Sequence, residues 1–420
     1  MSNILSVFCE SILAFLIFLN LGKAYLSKDK AQIWSPISAI SLTYMYYVLW
    51  PFWLGTKERY MIDESMYNGH LFHFAALLSY VFIMVGFRKS TNSSFDDWNK
   101  IFDKSNIGKY GLVLWAVGIA GYSSVRGFHF SFAAEDNSNT YMAIGGFVYY
   151  FMMMLDMLPF ASGLLFLKLK DNWKKIVYLI PFWFIFVQFL VAGARWRIVV
   201  AGFVLLTAHY LFPKIKKVNV PLLASIAFAV YIGFSVMDKA RVRGGGIQMS
   251  VATELKYDDV KDGANENCDV YYFSVISMDK IYETDQRVYF QPFMTAIFMP
   301  IPRFMFPWKP DADYLHNLED SVAAIGGGSA YLNFVESYFS FGWFGVIFWA
   351  WILGWLARKF WDNYVNNRES IGAIIALGVF SGFCYVTISR GYLPATFTTF
   401  IIAICCPFWI SMLYRKIVKK

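Results

Sequence analysis

The chain has 420 residues, of which 58% are hydrophobic, 20% aromatic and 16% charged, with a formal net charge of +8. A soluble globular domain carries about 25% charged residues, so an ordinary water-soluble globule is excluded and a chain surrounded by lipid is expected.

In chain order, apolar runs fall at 3–22, 34–54, 69–87, 109–125, 141–167, 176–193, 196–212, 218–237, 331–357, 371–389 and 394–413. Each is long enough to cross a hydrocarbon core of roughly 30 Å at about 1.5 Å per residue. The first run lacks a basic leading region and a small-residue cleavage site, so it reads as a retained helix and not as a signal peptide. The expected fold is all-α: a polytopic membrane bundle of about eleven transmembrane helices, eight of them in 1–237 and three in 331–420. Residues 238–330 form one large loop between the two groups.

Short loops on the cytoplasmic side retain Lys and Arg. With the N-terminus outside, the inner segments 23–33, 88–109, 168–175, 213–217, 358–370 and 414–420 hold 22 of the 37 basic residues. That fixes the expected orientation, with the C-terminus in the cytoplasm. The other fifteen basic residues stand on the outer side, where this tendency should have depleted them. Lys57, Arg59, Lys256, Lys261 and Lys280 have acidic neighbours and read as solvated loop charges. Arg195 and Arg197 in the turn GARWR, and Arg390, lie instead at tight helix junctions, where a partly desolvated guanidinium seeks an anion.

The outer loop divides in two. Residues 238–287 are polar with Gly-rich turns and read as a mobile cover, with one short helix around Val270 to Tyr282. Residues 289–310 are aromatic and contain five prolines, too broken to span, so a re-entrant or interface-lying segment is expected there. It presents Arg303 and Lys309 among rigid neighbours, which suits a lipid phosphate. Glu336 falls in the first turns of the ninth run, where a carboxylate is costly unless it faces a polar cavity. Cys9, Cys384, Cys405 and Cys406 sit in apolar runs and Cys268 alone in an outer loop, so no structural disulfide is implied. His129, His209 and His316 are scattered and no metal-ligand signature occurs, so no metal or other cofactor is expected. The inner loops are too short for a nucleotide-binding domain, and no nucleic-acid partner is expected.

The arrangement resembles a known family. A GxR turn runs from Gly193 to Arg195 between two helices, followed by Trp196 and a second arginine, and the large outer loop comes after the next span. Pro302–Arg303, the Pro307 to Pro310 element, the glycines Gly326 to Gly328, and then Glu336, Tyr338, Phe341, Gly342 and Gly345 complete the pattern. It looks like that of Wzy-type O-antigen polymerases, the oligosaccharide repeat unit polymerases. The resemblance implies a GT-C-like architecture in the bacterial inner membrane. It also implies transfer of a growing glycan from undecaprenyl diphosphate onto the next undecaprenyl-diphosphate-linked repeat unit at the periplasmic face, beside a flippase and a chain-length regulator. Such a reaction needs cations for two diphosphates and a base for the acceptor hydroxyl. Glu336 is the expected base, with Arg195 and Arg303 at the reacting centre. Arg197, Arg241, Arg243, Lys309 and Arg390 are expected to hold diphosphate, with Asp313, His316 and Tyr338 in reserve. Tyr289, Trp308, Tyr314 and Tyr331 read as sugar-stacking rings or as an interface belt. An O-antigen ligase shares this chemistry with a different acceptor. A lipid-linked oligosaccharide flippase would tend to show internal repeats, and none is seen.

Overall fold

The computed structural model describes residues 2–54, 69–96, 99–100, 195–223, 266–298 and 330–394, with isolated positions between and after them. Lipid offers no partner for a bare N–H or C=O, so the backbone satisfies itself in helices. Apart from a ribbon of two short strands, β1 (Arg241–Val242) and β2 (Gly246–Ile247), the described elements are helical. The N-terminal group comprises α1 (Ser2–Leu26), α2 (Pro36–Tyr44), α3 (Trp50–Leu54) and α4 (His70–Arg88), with a π-helical turn at Met45–Leu49 joining α2 to α3. Then come α5 (Arg195–Leu211), α6 (Glu266–Thr284), α7 (Gln291–Phe298), α8 (Asn333–Asn366) and α9 (Ile371–Ser389). Four of the described helices are long and apolar enough to cross a membrane: Ile4–Leu26, His70–Arg88, Asn333–Asn366 and Ile371–Ser389. The runs expected at 109–125, 141–167, 176–193 and 394–413 lie almost wholly outside the described residues.

Helix α8 is the spine of the structure. It runs along α4, and the two backbones touch at a pair of glycines. A Cβ on Gly86 would stand 2.3 Å from the Trp351 carbonyl, and one on Gly354 only 2.0 Å from that of Ile83. Small residues that allow this approach are how helices associate in lipid, where burial of apolar surface drives little. Helix α9 packs antiparallel on α5, with Gly382 against Val200 and Gly378 against Val204.

The helix expected around Val270 to Tyr282 is present and longer: α6 runs 19 residues and is wedged among α3, α4 and α8, while the cover expected over 238–265 lies almost wholly outside the described residues. Tyr271, Ser274, Val275, Ser277 and Met278 are all buried, and so is Cys268 at 1% exposure. The polar side chains of α6 are short, and most find partners inside the bundle. Asn267 donates to the Tyr46 carbonyl (3.0 Å), and the Ser274 hydroxyl accepts the Leu332 N–H (2.9 Å). The Tyr271 hydroxyl lies 3.2 Å from His73 Nε2. On its other side, His73 Nδ1 meets the fully buried Glu10 carboxylate at 2.5 Å. Thus α6 is tied to α1 and α4 through one buried carboxylate, imidazole and phenol.

Candidate functional site

Glu336 sits in the first turn of α8 and is 6% exposed. The chain leaving α9 is laced to this helix start. Gly391 N–H donates to the Tyr331 carbonyl at 2.7 Å, and Leu393 N–H donates to both Glu336 oxygens, at 2.9 and 3.2 Å. A Cβ on Gly391 would come within 2.9 Å of Leu332 O and the Tyr331 ring, so only glycine allows this close return. The carboxylate therefore has a fixed place, at a helix N-terminus that favours negative charge.

Two turns later α8 breaks. Phe341 (φ −138°, ψ 23°) and Gly342 (φ 61°, ψ −145°) leave helical geometry, and the second pair of angles is close to a region open only to glycine. The Phe339 carbonyl takes its hydrogen bond from Val288 N–H (3.0 Å), in the turn between α6 and α7. Past the break the helix resumes in very close contact with its earlier turns, since a Cβ on Gly345 would lie 2.1 Å from the Ser337 carbonyl. The Phe-Gly-x-x-Gly element of the sequence is thus the break and its tight resumption.

The break opens a cavity of about 710 Å³, within the size range of ligand sites. One end is polar, formed by Asn333, Glu336, Ser337 and Ser340. The Ser337 and Ser340 hydroxyls donate to carbonyls one turn back (2.8 and 2.9 Å), leaving Glu336 as the only carboxylate among the described lining residues. The body is apolar. Phe344, Phe348 and Trp349 come from α8, Phe380 and Phe383 from α9, and Phe293 from α7, while Tyr289, Phe290 and Phe341 stand at the break.

The residues singled out in the sequence distribute unevenly. Glu336 lines the cavity, and half-buried Arg390 lies three residues before the Leu393 N–H that holds it. Arg195 and Arg197 occupy the first turn of α5. The antiparallel register of α5 on α9 sets that turn beside the end of α9, next to Arg390. Arg241 is in β1. Arg243, Arg303, Lys309, Asp313 and His316 lie outside the described residues. Tyr338 is buried away from the cavity lining, edge-on to Trp343 and beneath the Arg287 guanidinium at 4.9 Å. Among the described residues no cluster of three His, Cys, Asp or Glu side chains is placed to hold a metal ion.

Sequence reasoning passed over Arg287, Glu10 and His73. Glu10 had a usable signal, a carboxylate inside an apolar run. Arg287 had none, because its partner Tyr338 is remote in sequence.

The family model for the O-antigen polysaccharide polymerase Wzy matches residues 1–420, the whole chain. The chain belongs to the Wzy family of O-antigen polysaccharide polymerases. It is accordingly a membrane protein and a polymerase acting on lipid-linked oligosaccharide repeat units. No curated protein and no solved structure gives a match.

Proposed function

We propose that polymerisation takes place at the outer-face cavity beneath the break in α8, with Glu336 as general base. The observation that carries this reading is a cavity whose aromatic body ends at Glu336, the single carboxylate among its described lining residues, held by Leu393 N–H. An apolar body suits a polyprenyl chain and the polar end suits the reacting sugars. In the proposed step the acceptor hydroxyl oxygen bonds to the anomeric carbon of the growing glycan while its proton passes to the Glu336 carboxylate. The bond from that carbon to the diphosphate oxygen breaks, and undecaprenyl diphosphate leaves with the electron pair. Arg195 and Arg303 are assigned to the charge that develops on the leaving group. Arg197, Arg241, Arg243, Lys309 and Arg390 are assigned to the two diphosphates, which guanidinium forks bind through paired hydrogen bonds. Asp313, His316 and Tyr338 remain in reserve.

The architecture proposed around this site is the GT-C-like bundle of eleven helices in the bacterial inner membrane, N-terminus periplasmic and C-terminus cytoplasmic. Its support is the basic composition of every inner segment. Residues 238–330 supply the lid and one wall, including the interfacial segment 289–310. The reaction is written without a metal ion, since arginines are given the cationic role. A flippase supplying the units and a chain-length regulator are the proposed protein partners.

Proteoliposomes containing the purified protein and a synthetic undecaprenyl-diphosphate-linked repeat unit test the reading. A ladder of longer lipid-linked glycans, undiminished by EDTA, is expected. Transfer only to a lipopolysaccharide core acceptor marks a ligase instead, and passage of the intact unit across the bilayer without coupling marks a transporter.

A further inference from the structure

We infer that Arg287 is a positioning residue that pins the outer loop onto the break in α8 and so sets the mouth of the cavity. Its guanidinium is committed to protein groups. Nη1 donates to the carbonyls of Gln286 (2.7 Å) and Ile281 (3.3 Å), and Nη2 pairs with Asp285 at 3.0 Å. The planar group lies over the Tyr338 ring, 4.9 Å from its centroid, and Nε stands 3.8 Å from the point where a side chain would project at Gly342. With the Arg287 side chain 18% exposed and both its Nη groups engaged by Ile281, Gln286 and Asp285, it serves the fold of this turn.

The residues around it carry the consequence to the cavity. Asp285 (φ 48°) and Tyr289 (φ 45°) take left-handed backbone angles on either side, a conformation that non-glycine residues hold only where contacts enforce it. Between them, Val288 N–H donates to the Phe339 carbonyl freed by the break. The turn then delivers Tyr289 and Phe290 edge-on to Phe341, at 6.1 and 4.9 Å. All three of these rings line the cavity. Arg287 thus binds the turn from one side while the rings close the mouth from the other. A flat guanidinium that stacks and forks at once is not replaced by an ammonium.

If the cavity seats the lipid-linked unit, as proposed above, loss of Arg287 weakens capture and leaves the chemical step intact. Two measurements on the full-length protein test this. In reconstituted polymerisation, Arg287→Ala is expected to raise KM for the lipid-linked unit at least tenfold with kcat within threefold of the wild type, and Arg287→Lys to recover only part of the loss. Binding of undecaprenyl phosphate alone, followed by native mass spectrometry, is expected to weaken in the same order across the variants. This binding needs no turnover, so it stands even if the wild type proves not to polymerise. Unchanged KM and unchanged lipid binding in folded Arg287→Ala overturn the inference, as does a fall in kcat at constant KM. Should Arg287→Ala fail to fold, Arg287→Lys and Tyr338→Leu decide: both must weaken lipid binding, and retention of wild-type binding by either overturns it.

Discussion

Gly342→Ala puts the break in α8 to the test. A Cβ at this position would meet Arg287 Nε at 3.8 Å and Nη2 at 4.0 Å, ordinary van der Waals contact, so steric overlap is not the obstacle. The obstacle is the backbone, since φ 61° with ψ −145° costs an alanine on the order of 1–3 kcal/mol. That energy moves the balance between broken and straightened helix by roughly 5–150-fold. Straightening draws the Phe339 carbonyl back into the helical ladder and strands the Val288 N–H, a further penalty of about 1–3 kcal/mol if the amide stays buried. The variant is therefore expected to unfold at lower temperature in detergent and to yield little polymer in proteoliposomes. Gly202→Ala is the control. Nothing lies within 4 Å of its added Cβ, and helical geometry there gains about 0.4–1 kcal/mol. Equal melting temperatures and equal polymer yields for the two variants refute the idea that the break needs glycine.

Two further outcomes follow from the bundle. In a Cys405→Ser/Cys406→Ser background, Cys268 at 1% exposure is expected to resist an impermeant maleimide in the folded protein and to react after denaturation; rapid labelling of the native protein contradicts the packing of α6. Glu10→Ala leaves the His73 imidazole without its buried partner at 2.5 Å and is expected to cost about 3–5 kcal/mol, whereas Glu10→Leu/His73→Leu recovers most of that. Melting curves that rank the double variant below the single one count against a buried coupled pair.

Hydropathy located the long apolar helices, including ones packed inside the bundle. The run 371–389 coincides with α9, 69–87 with α4 to within one residue, and 196–212 with α5 to the same margin. Glu336 and Arg390 were legible because an ionisable group in or beside an apolar run demands a reason. What the sequence hid depends on partners remote along the chain. Gly342 stood out in the sequence only as part of the family pattern, and the break is visible only once Val288 supplies the N–H for Phe339. The core of α6, Val270 to Tyr282, was legible as a helix, but its burial was not, because Asn267, Tyr271 and Ser274 count as hydrophilic until Tyr46, His73 and Leu332 are seen to partner them. Arg287 was one outer cation among fifteen, distinguished only by the ring of Tyr338 beneath it.

Glu336→Gln tests the central claim most directly. The amide keeps the size of the side chain and an oxygen for the Leu393 N–H, and removes the ability to take a proton. General-base catalysis contributes roughly 10²–10⁴-fold, so kcat for ladder formation from a synthetic lipid-linked repeat unit is expected to fall by that order at unchanged KM and unchanged melting temperature. Polymerisation by Glu336→Gln at the wild-type rate would contradict the assignment of the base and, with it, the placement of the chemistry in this cavity.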